Sequence, residues 1–154
     1  MNKDSFNEAI AELLREGFEG VGPSGSTWFV EGHEAILPTI RELSSERASV
    51  CPIPGRASIG AHVRHLIFLM SLANTCHGEA LPAGSWTDTW SRNEFSAEEW
   101  RAMQEELERR YLAFAEWFRT NENWVHEMGV IGPISTLPHV AFHLGAIRQL
   151  VALV

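Results

Sequence analysis

The sequence is poor in basic residues and in cysteine, and both shortages narrow the range of functions. Twelve lysine and arginine residues stand against 20 aspartate and glutamate residues, which gives a formal net charge of −8 at pH 7. Such a chain repels phosphate backbones and anionic lipid headgroups, so we expect neither a nucleic-acid partner nor a membrane surface. The only cysteines, Cys51 and Cys76, form no CxxC metal motif, and we expect two reduced, inert thiols.

Long apolar runs and known catalytic motifs are absent as well. No stretch approaches the ~18 apolar residues of a membrane span, and residues 1–10 lack the apolar centre of a signal peptide. There is no glycine-rich phosphate loop and no GxSxG nucleophile motif. These absences lead us to expect a cytoplasmic protein whose 154 residues form a single domain, residues 1–154.

Apolar residues recur at helical spacing along nearly the whole chain. The spacing predicts a helix over residues 4–18. A second helix is predicted to begin after Ser26 or Thr27 and to continue to Leu43, with a kink at Pro38, which cannot donate a backbone hydrogen bond.

The second half of the chain carries clearer signals for the ends of helices. Residues 44–57 contain two prolines and a glycine and are predicted to be a connector, after which Ser58 caps a third helix. The run 96–99 is a capping box that opens a long fourth helix, and Ser135 or Thr136 is positioned to cap the last one. No segment alternates with period two, so the predicted fold is all-α: an antiparallel four-helix bundle with an additional or short N-terminal helix.

Two histidines lie one turn apart in the last predicted helix. His139 and His143 have the i, i+4 spacing that lets two imidazoles reach one metal ion. From Met128 to Val154 the only permanent charge is Arg148, so this helix is expected to be buried. Buried imidazoles need partners, which a metal ion, the backbone or water can supply. The pair therefore indicates a metal site, with core histidines as the alternative.

The third predicted helix adds two more histidines. His65 lies in its middle, and His62 shares its face one turn earlier. Helical bundles commonly build interior metal sites from facing helices, so His65 is the candidate third ligand. His62 competes with it for that role, and either ring can instead be a hydrogen-bonded core residue.

These motifs resemble those of the DinB-like (damage-inducible, YfiT-type) family. Ser58-Ile59 followed by His65-Leu66 resembles its first metal motif, and His139-xxx-His143-Leu-Gly145-Ala-Ile147 resembles its closing HxxxHxGxI. The resemblance covers roughly residues 4–154 and implies a four-helix bundle that holds a divalent ion, often nickel or zinc, with three histidines. The implied ligands are His65, His139 and His143. It also implies a dimer, and related branches include thiol-dependent S-transferases and a maleylpyruvate isomerase.

The resemblance leaves the acid–base group open. Neither histidine-bearing helix has an aspartate or glutamate between Ala57 and Gly78 or after Glu127, so no HExxH-type base is present. His33, on the apolar stripe of the second predicted helix, and His62 are the candidate catalytic residues, with a core role as the alternative for His33. Trp86 and Trp90 either rim a pocket or close the end of the bundle.

Two functional hypotheses follow. The first is a metal-dependent transferase of the thiol S-transferase type, or a hydrolase, acting on a small molecule, for which a thiol is one candidate. The second is a non-catalytic helical bundle in which the ion is structural or serves ligand binding. Because the second and third predicted helices are apolar over wide arcs, we also expect a homodimer.

Overall fold

The computed structural model describes residues 3–23, 25, 27–31, 34–122, 124 and 127–154, and these residues form only helices and loops. The α-helices in this part of the chain are α1 (Lys3–Glu19), α2 (Ile36–Arg41), α3 (Ser45–Ala48), α4 (Ile59–Asn74), α5 (Ala97–Thr120) and α6 (Glu127–Val151). Two short 3-10 helices, Thr75–His77 and Asp88–Trp90, lie between α4 and α5. The prediction of an all-α fold is confirmed.

The four long helices enclose the hydrophobic core. The α4 helix packs against α5 and α6, and α1 packs against the same two helices. Phe18 of α1 stacks on Tyr111 of α5 with 4.5 Å between the ring centroids. The largest fully buried side chains come from all four helices, among them Leu14, Phe18, Leu66, Met70, Leu107, Phe114, Phe118 and Ile147. Apolar stripes at helical spacing therefore face one shared interior.

The predicted starts of two helices are confirmed by side-chain caps. Ser58 Oγ accepts a hydrogen bond from the Ala61 amide at the start of α4. At the start of α5, Ser96 Oγ accepts from the Glu99 amide, and the Glu99 carboxylate accepts from the Ser96 amide. Each cap satisfies backbone donors that the first helical turn leaves free.

The second predicted helix is wrong over most of its length. Residues 27–31 are not helical, and α2 has only six residues, with Pro38 inside its first turn, where the missing donor causes no kink. The physical reason is the buried Glu16 carboxylate, which accepts hydrogen bonds from the backbone amides of Trp28, Phe29 and Val30 at 2.8–2.9 Å. These amides are directed at α1 instead of into a helix. At the N-terminal end of the chain, the long helix is α1, which has 17 residues.

Two other boundaries differ from the predictions. The connector 44–57 contains α3, whose start is capped by Ser44. The last helix begins at Glu127, about two turns before Ser135, and it includes two prolines. Ser135 and Thr136 do not cap it, because their hydroxyls donate to carbonyls three residues earlier within the helix.

One helix of the described residues, α6, meets the length and composition criteria for a membrane span, although it contains no continuous run of ~18 apolar residues. Val130–Val151 is the part that meets them, and a third of its most apolar stretch is buried. The same helix contributes Val140, Leu144 and Ile147 to the core. A core helix meets the same criteria, so this finding by itself is weak evidence for a membrane.

The Glu16 carboxylate gives a prediction about folding. Glu16→Gln replaces one acceptor oxygen by an NH2 group and removes the charge, so buried amides lose their partner. We expect the free energy of unfolding to fall by about 2–4 kcal/mol, measured by urea denaturation. Glu12→Gln on the same helix breaks a more exposed pair with Arg15 and should cost less than about 1 kcal/mol. Equal losses in the two variants would contradict an anchoring role for Glu16.

Candidate metal centre

Three histidines from two helices converge between α4 and α6. His65 of α4 and His139 and His143 of α6 each offer one ring nitrogen, and these three atoms lie within 4.8 Å of one another. Nε2 of His65 is 3.1 Å from Nε2 of His139. Among the described residues, these three histidines form a group whose donor nitrogens are close enough to bind one metal ion. The structure thus brings together the three residues that the sequence motifs single out.

A threonine hydroxyl determines the tautomer of His65. Thr89 Oγ1 donates its proton to the Trp86 carbonyl at 2.6 Å and lies 2.7 Å from His65 Nδ1. Since the hydroxyl proton is already engaged, the oxygen can only accept from the ring, and His65 must carry its proton on Nδ1. Nε2 of His65 is therefore the unprotonated nitrogen, and its lone pair is on the side that faces Nε2 of His139, 3.1 Å away. A metal-ligating histidine typically donates its second ring N–H in this way.

His62 is outside the three-histidine group but touches it. Its Nδ1 lies 2.8 Å from Nδ1 of His143, and the ring centroids are 5.1 Å apart. One of the two nitrogens must carry the proton, so the contact couples the tautomers of the two rings. The structure places His62 beside one candidate ligand, whereas His33, the other catalytic candidate, lies outside the described residues.

Two tryptophans from the loop between α4 and α5 cover the histidines. Trp90 stacks on His65 with a centroid distance of 4.3 Å, and Trp86 stacks on His139 at 5.6 Å. The loop is held by Arg64 of α4, which donates to the Thr89 carbonyl and the Ser91 hydroxyl. Of the two roles predicted for the tryptophans, the structure supports the one at the rim of a site.

Burial keeps the histidines neutral. Desolvation lowers the pKa of His65 to about 4 and that of His143 to about 3, and the neighbouring imidazoles act in the same direction. The pKa of His139 is also lowered by burial. At neutral pH these rings are uncharged, so their ring-nitrogen lone pairs are available to a metal ion.

Two cavities lie near the cluster, one lined by His62 and the other by His139. The His62 cavity, of about 770 Å³, is lined by Trp90, Arg56 and Phe142 besides His62. The His139 cavity, of about 280 Å³, is lined by Trp86 and Cys76 besides His139. The second cavity reaches one of the three candidate ligands directly.

The cysteines do not add a nucleophile to the cluster. Cys51 and Cys76 are both exposed residues, and the thiol of Cys76 lies on the wall of the His139 cavity, where it is partly shielded from water. Desolvation of the thiolate raises the pKa of Cys76 to about 11, and its Sγ donates to the Ala73 carbonyl. A thiol protonated at neutral pH is a weak nucleophile and a weak ligand.

Thr89 is the residue that reading the sequence missed. It lies between Trp86 and Trp90 in the sequence, but no sequence spacing relates it to His65, which is 24 positions earlier. The contact exists because the 3-10 helix Asp88–Trp90 packs on α4. Thr89 is itself buried, at 4% exposure, and its hydroxyl joins the loop to the ring.

Comparisons with known proteins identify no relative. No protein-family model matches the chain, and neither a curated protein nor a solved structure matches it. The resemblance to DinB-like proteins therefore depends on the two histidine motifs and their order along the chain, and it stays a prediction.

The Thr89 contact predicts a change in metal affinity. Thr89→Val keeps the shape of the side chain but removes the acceptor that holds His65, so we expect zinc affinity to fall about 10- to 100-fold, measured by competition with a chelating dye. Thr89→Ser retains the hydroxyl and should bind zinc nearly as the parent does. Far-UV circular dichroism of the zinc-free variants checks that the helices are intact. Unchanged zinc affinity in Thr89→Val would contradict the assigned tautomer.

Proposed function

We propose that this chain is a DinB-like metalloprotein in which His65, His139 and His143 bind one divalent ion, nickel or zinc. We further propose that it is a cytoplasmic enzyme acting on a small molecule. The reaction class is a metal-dependent transfer of the thiol S-transferase type, or a hydrolysis. The alternative is a binding protein in which the same ion is structural.

One observation carries the metal site: Thr89 favours the His65 tautomer in which Nε2 is unprotonated, and this nitrogen lies 3.1 Å from Nε2 of His139. Two nitrogens bound to one tetrahedral ion at roughly 2.0–2.1 Å are about 3.3 Å apart, so this pair is already close to the required spacing. All three donor nitrogens lie within 4.8 Å of one another, so at most a small inward shift of one ring brings them to the spacing that one ion requires. With His62 bonded to Nδ1 of His143, the Nε2 atom of His143 is left as the ligand.

The helix packing supports the family-level part of the proposal. The long helices contact one another in the closed order α1, α5, α4, α6, as expected for an antiparallel four-helix bundle. A homodimer also belongs to the proposal, because α6 exposes apolar side chains such as Ile131, which is 56% exposed.

The chain itself supplies neutral hydrogen-bonding groups to the proposed reaction. A divalent ion held by three imidazoles polarises a bound group or lowers the pKa of bound water. His62 lies between the cluster and the larger cavity, and burial lowers its pKa to about 4. At neutral pH the ring is uncharged, so it orients a substrate by hydrogen bonding and accepts a proton only weakly.

The alternative function has its own support. Two of the three histidines are almost fully buried, His65 at 4% and His143 at 1% exposure, which suits an ion that joins α4 to α6. No carboxylate belongs to the three-histidine group found among the described residues. A stabilising ion needs no general base, whereas hydrolysis commonly uses one.

The metal assignment predicts the effect of removing each ring. Elemental analysis of untagged protein should show at least tenfold less bound divalent metal in His65→Ala, His139→Ala and His143→Ala, because an incomplete ligand set binds weakly. His77→Ala is the matched control, since His77 bonds to Asn74 outside the cluster and should leave metal content unchanged. His62→Ala should retain most of the metal.

Two results would contradict the assignment. Stoichiometric metal in all three cluster variants would exclude the site itself. Complete loss of metal in His62→Ala would show that His62 is a ligand and that the choice of rings is wrong.

The enzymatic proposal also predicts an exchangeable position on the ion. In the cobalt-substituted protein, azide should change the visible spectrum, because three protein ligands leave a position open and the His139 cavity reaches the cluster. A spectrum that azide does not change indicates a closed, structural ion. If azide then changes the spectrum of His33→Ala, His33 is the fourth ligand. Either result would favour the alternative function.

A further inference from the structure

The His62 cavity combines apolar walls with a single cation. Its volume of about 770 Å³ is within the range of small-molecule sites. Its walls are largely apolar, with Ile53, Trp90, Phe142 and Leu150 among them, and no acidic residue lines it. Although the chain has a net charge of −8, the only charged side chain that lines this cavity is positive.

A tight turn places Arg56 at this cavity. The Arg56 amide donates to the Ile53 carbonyl at 3.1 Å, and Pro54 and Gly55 occupy the two central positions of the turn. Gly55 has φ +73°, which a type II turn requires at that position and which favours glycine. Arg56 forms no ion pair with any residue in the described part of the chain. Its charge is therefore available to a ligand.

Asn93 adds a hydrogen-bond donor to the lining. Its Oδ1 accepts from the Ser58 amide at 2.8 Å, and its backbone carbonyl accepts from the Ser58 hydroxyl at 2.9 Å. With these acceptors engaged, the polar group of Asn93 that remains is its side-chain NH2. A guanidinium and an amide NH2 beside apolar walls suit a ligand that carries an acceptor of negative charge on an apolar body.

We propose that the His62 cavity binds a small organic monocarboxylate, with its carboxylate on Arg56 and its apolar body against Trp90 and Phe142. A single guanidinium matches one carboxylate, whereas phosphate sites usually combine several cations or helix-end amides. The cavity is one imidazole ring away from the cluster, because His62 lines it and contacts His143. Resting on the proposed function, this inference makes the monocarboxylate the substrate class of the same site.

The test measures binding without the metal. Isothermal titration calorimetry of the full chain in excess chelator uses phenylacetate as the probe and phenylacetamide as its neutral match. We expect phenylacetate to bind with a millimolar or lower Kd. Phenylacetamide should bind the parent protein about tenfold or more weakly, and the Arg56→Gln variant should bind phenylacetate about tenfold or more weakly. Phe142 is 68% exposed, so Phe142→Ala should fold normally and also weaken binding.

Matched variants separate a specific site from a general charge effect. Arg101→Gln removes the same charge from an exposed arginine of α5 that does not line the cavity, and it should change affinity less than about twofold. Leu112→Ala is the control for Phe142→Ala, because Leu112 is also an exposed apolar residue but lies on α5, away from the cavity. Inorganic phosphate should not displace phenylacetate.

Each remaining outcome would overturn the proposal. These outcomes are no measurable phenylacetate binding, equal affinity for the amide, equal losses in the Arg56 and Arg101 variants, or displacement by phosphate. Metal content is measured separately on protein without chelator. Normal metal content without carboxylate binding contradicts only this inference, whereas carboxylate binding in a protein that takes up no metal contradicts only the proposed function.

Discussion

The burial of His65 and His143 between α4 and the part of α6 after Glu127, neither of which has a carboxylate, is the constraint on which the rest of the site depends. An imidazole that loses water and gains no partner costs about 1–3 kcal/mol. The partners come from Thr89 for His65 and from His62 for His143. To supply Thr89, the loop between α4 and α5 must fold back onto α4, and that placement brings two tryptophans over the rings.

The same constraint gives the site its electrostatic character. Because all the charges on α4 and on the C-terminal part of α6 are arginines, no carboxylate on these segments neutralises a bound cation or repels an anionic ligand. Burial keeps the rings neutral, and the nearest permanent charge on the larger cavity is Arg56. A carboxylate ligand would therefore supply the negative charge that this part of the chain lacks, while the neutral imidazoles would bind the divalent ion through their lone pairs, so the two proposals are physically consistent.

Where the predicted helices were wrong, a distant or unusual hydrogen bond replaced the local one. The segment around Phe29 has apolar spacing typical of a helix, yet the Glu16 carboxylate binds its amides from 12 to 14 residues away. In α6 the serine and threonine hydroxyls bond to carbonyls within the helix, so residues that usually cap a helix lie in its interior. The spacing of apolar residues does not predict hydrogen bonds to a buried carboxylate on another helix. It also does not predict that a packed helix tolerates prolines.

The sequence by itself determined what depends on residues within about four positions of one another. These features are the helical character of the chain, the caps at Ser58 and Ser96, and the i, i+4 pair His139 and His143, since backbone geometry places such residues side by side. Only the tertiary structure decided the cross-helix contacts: His65 with His139 across 74 positions, His62 with His143 across 81, and Thr89 with His65 across 24. These contacts depend on how α4, α6 and the intervening loop pack, and no local periodicity encodes that packing.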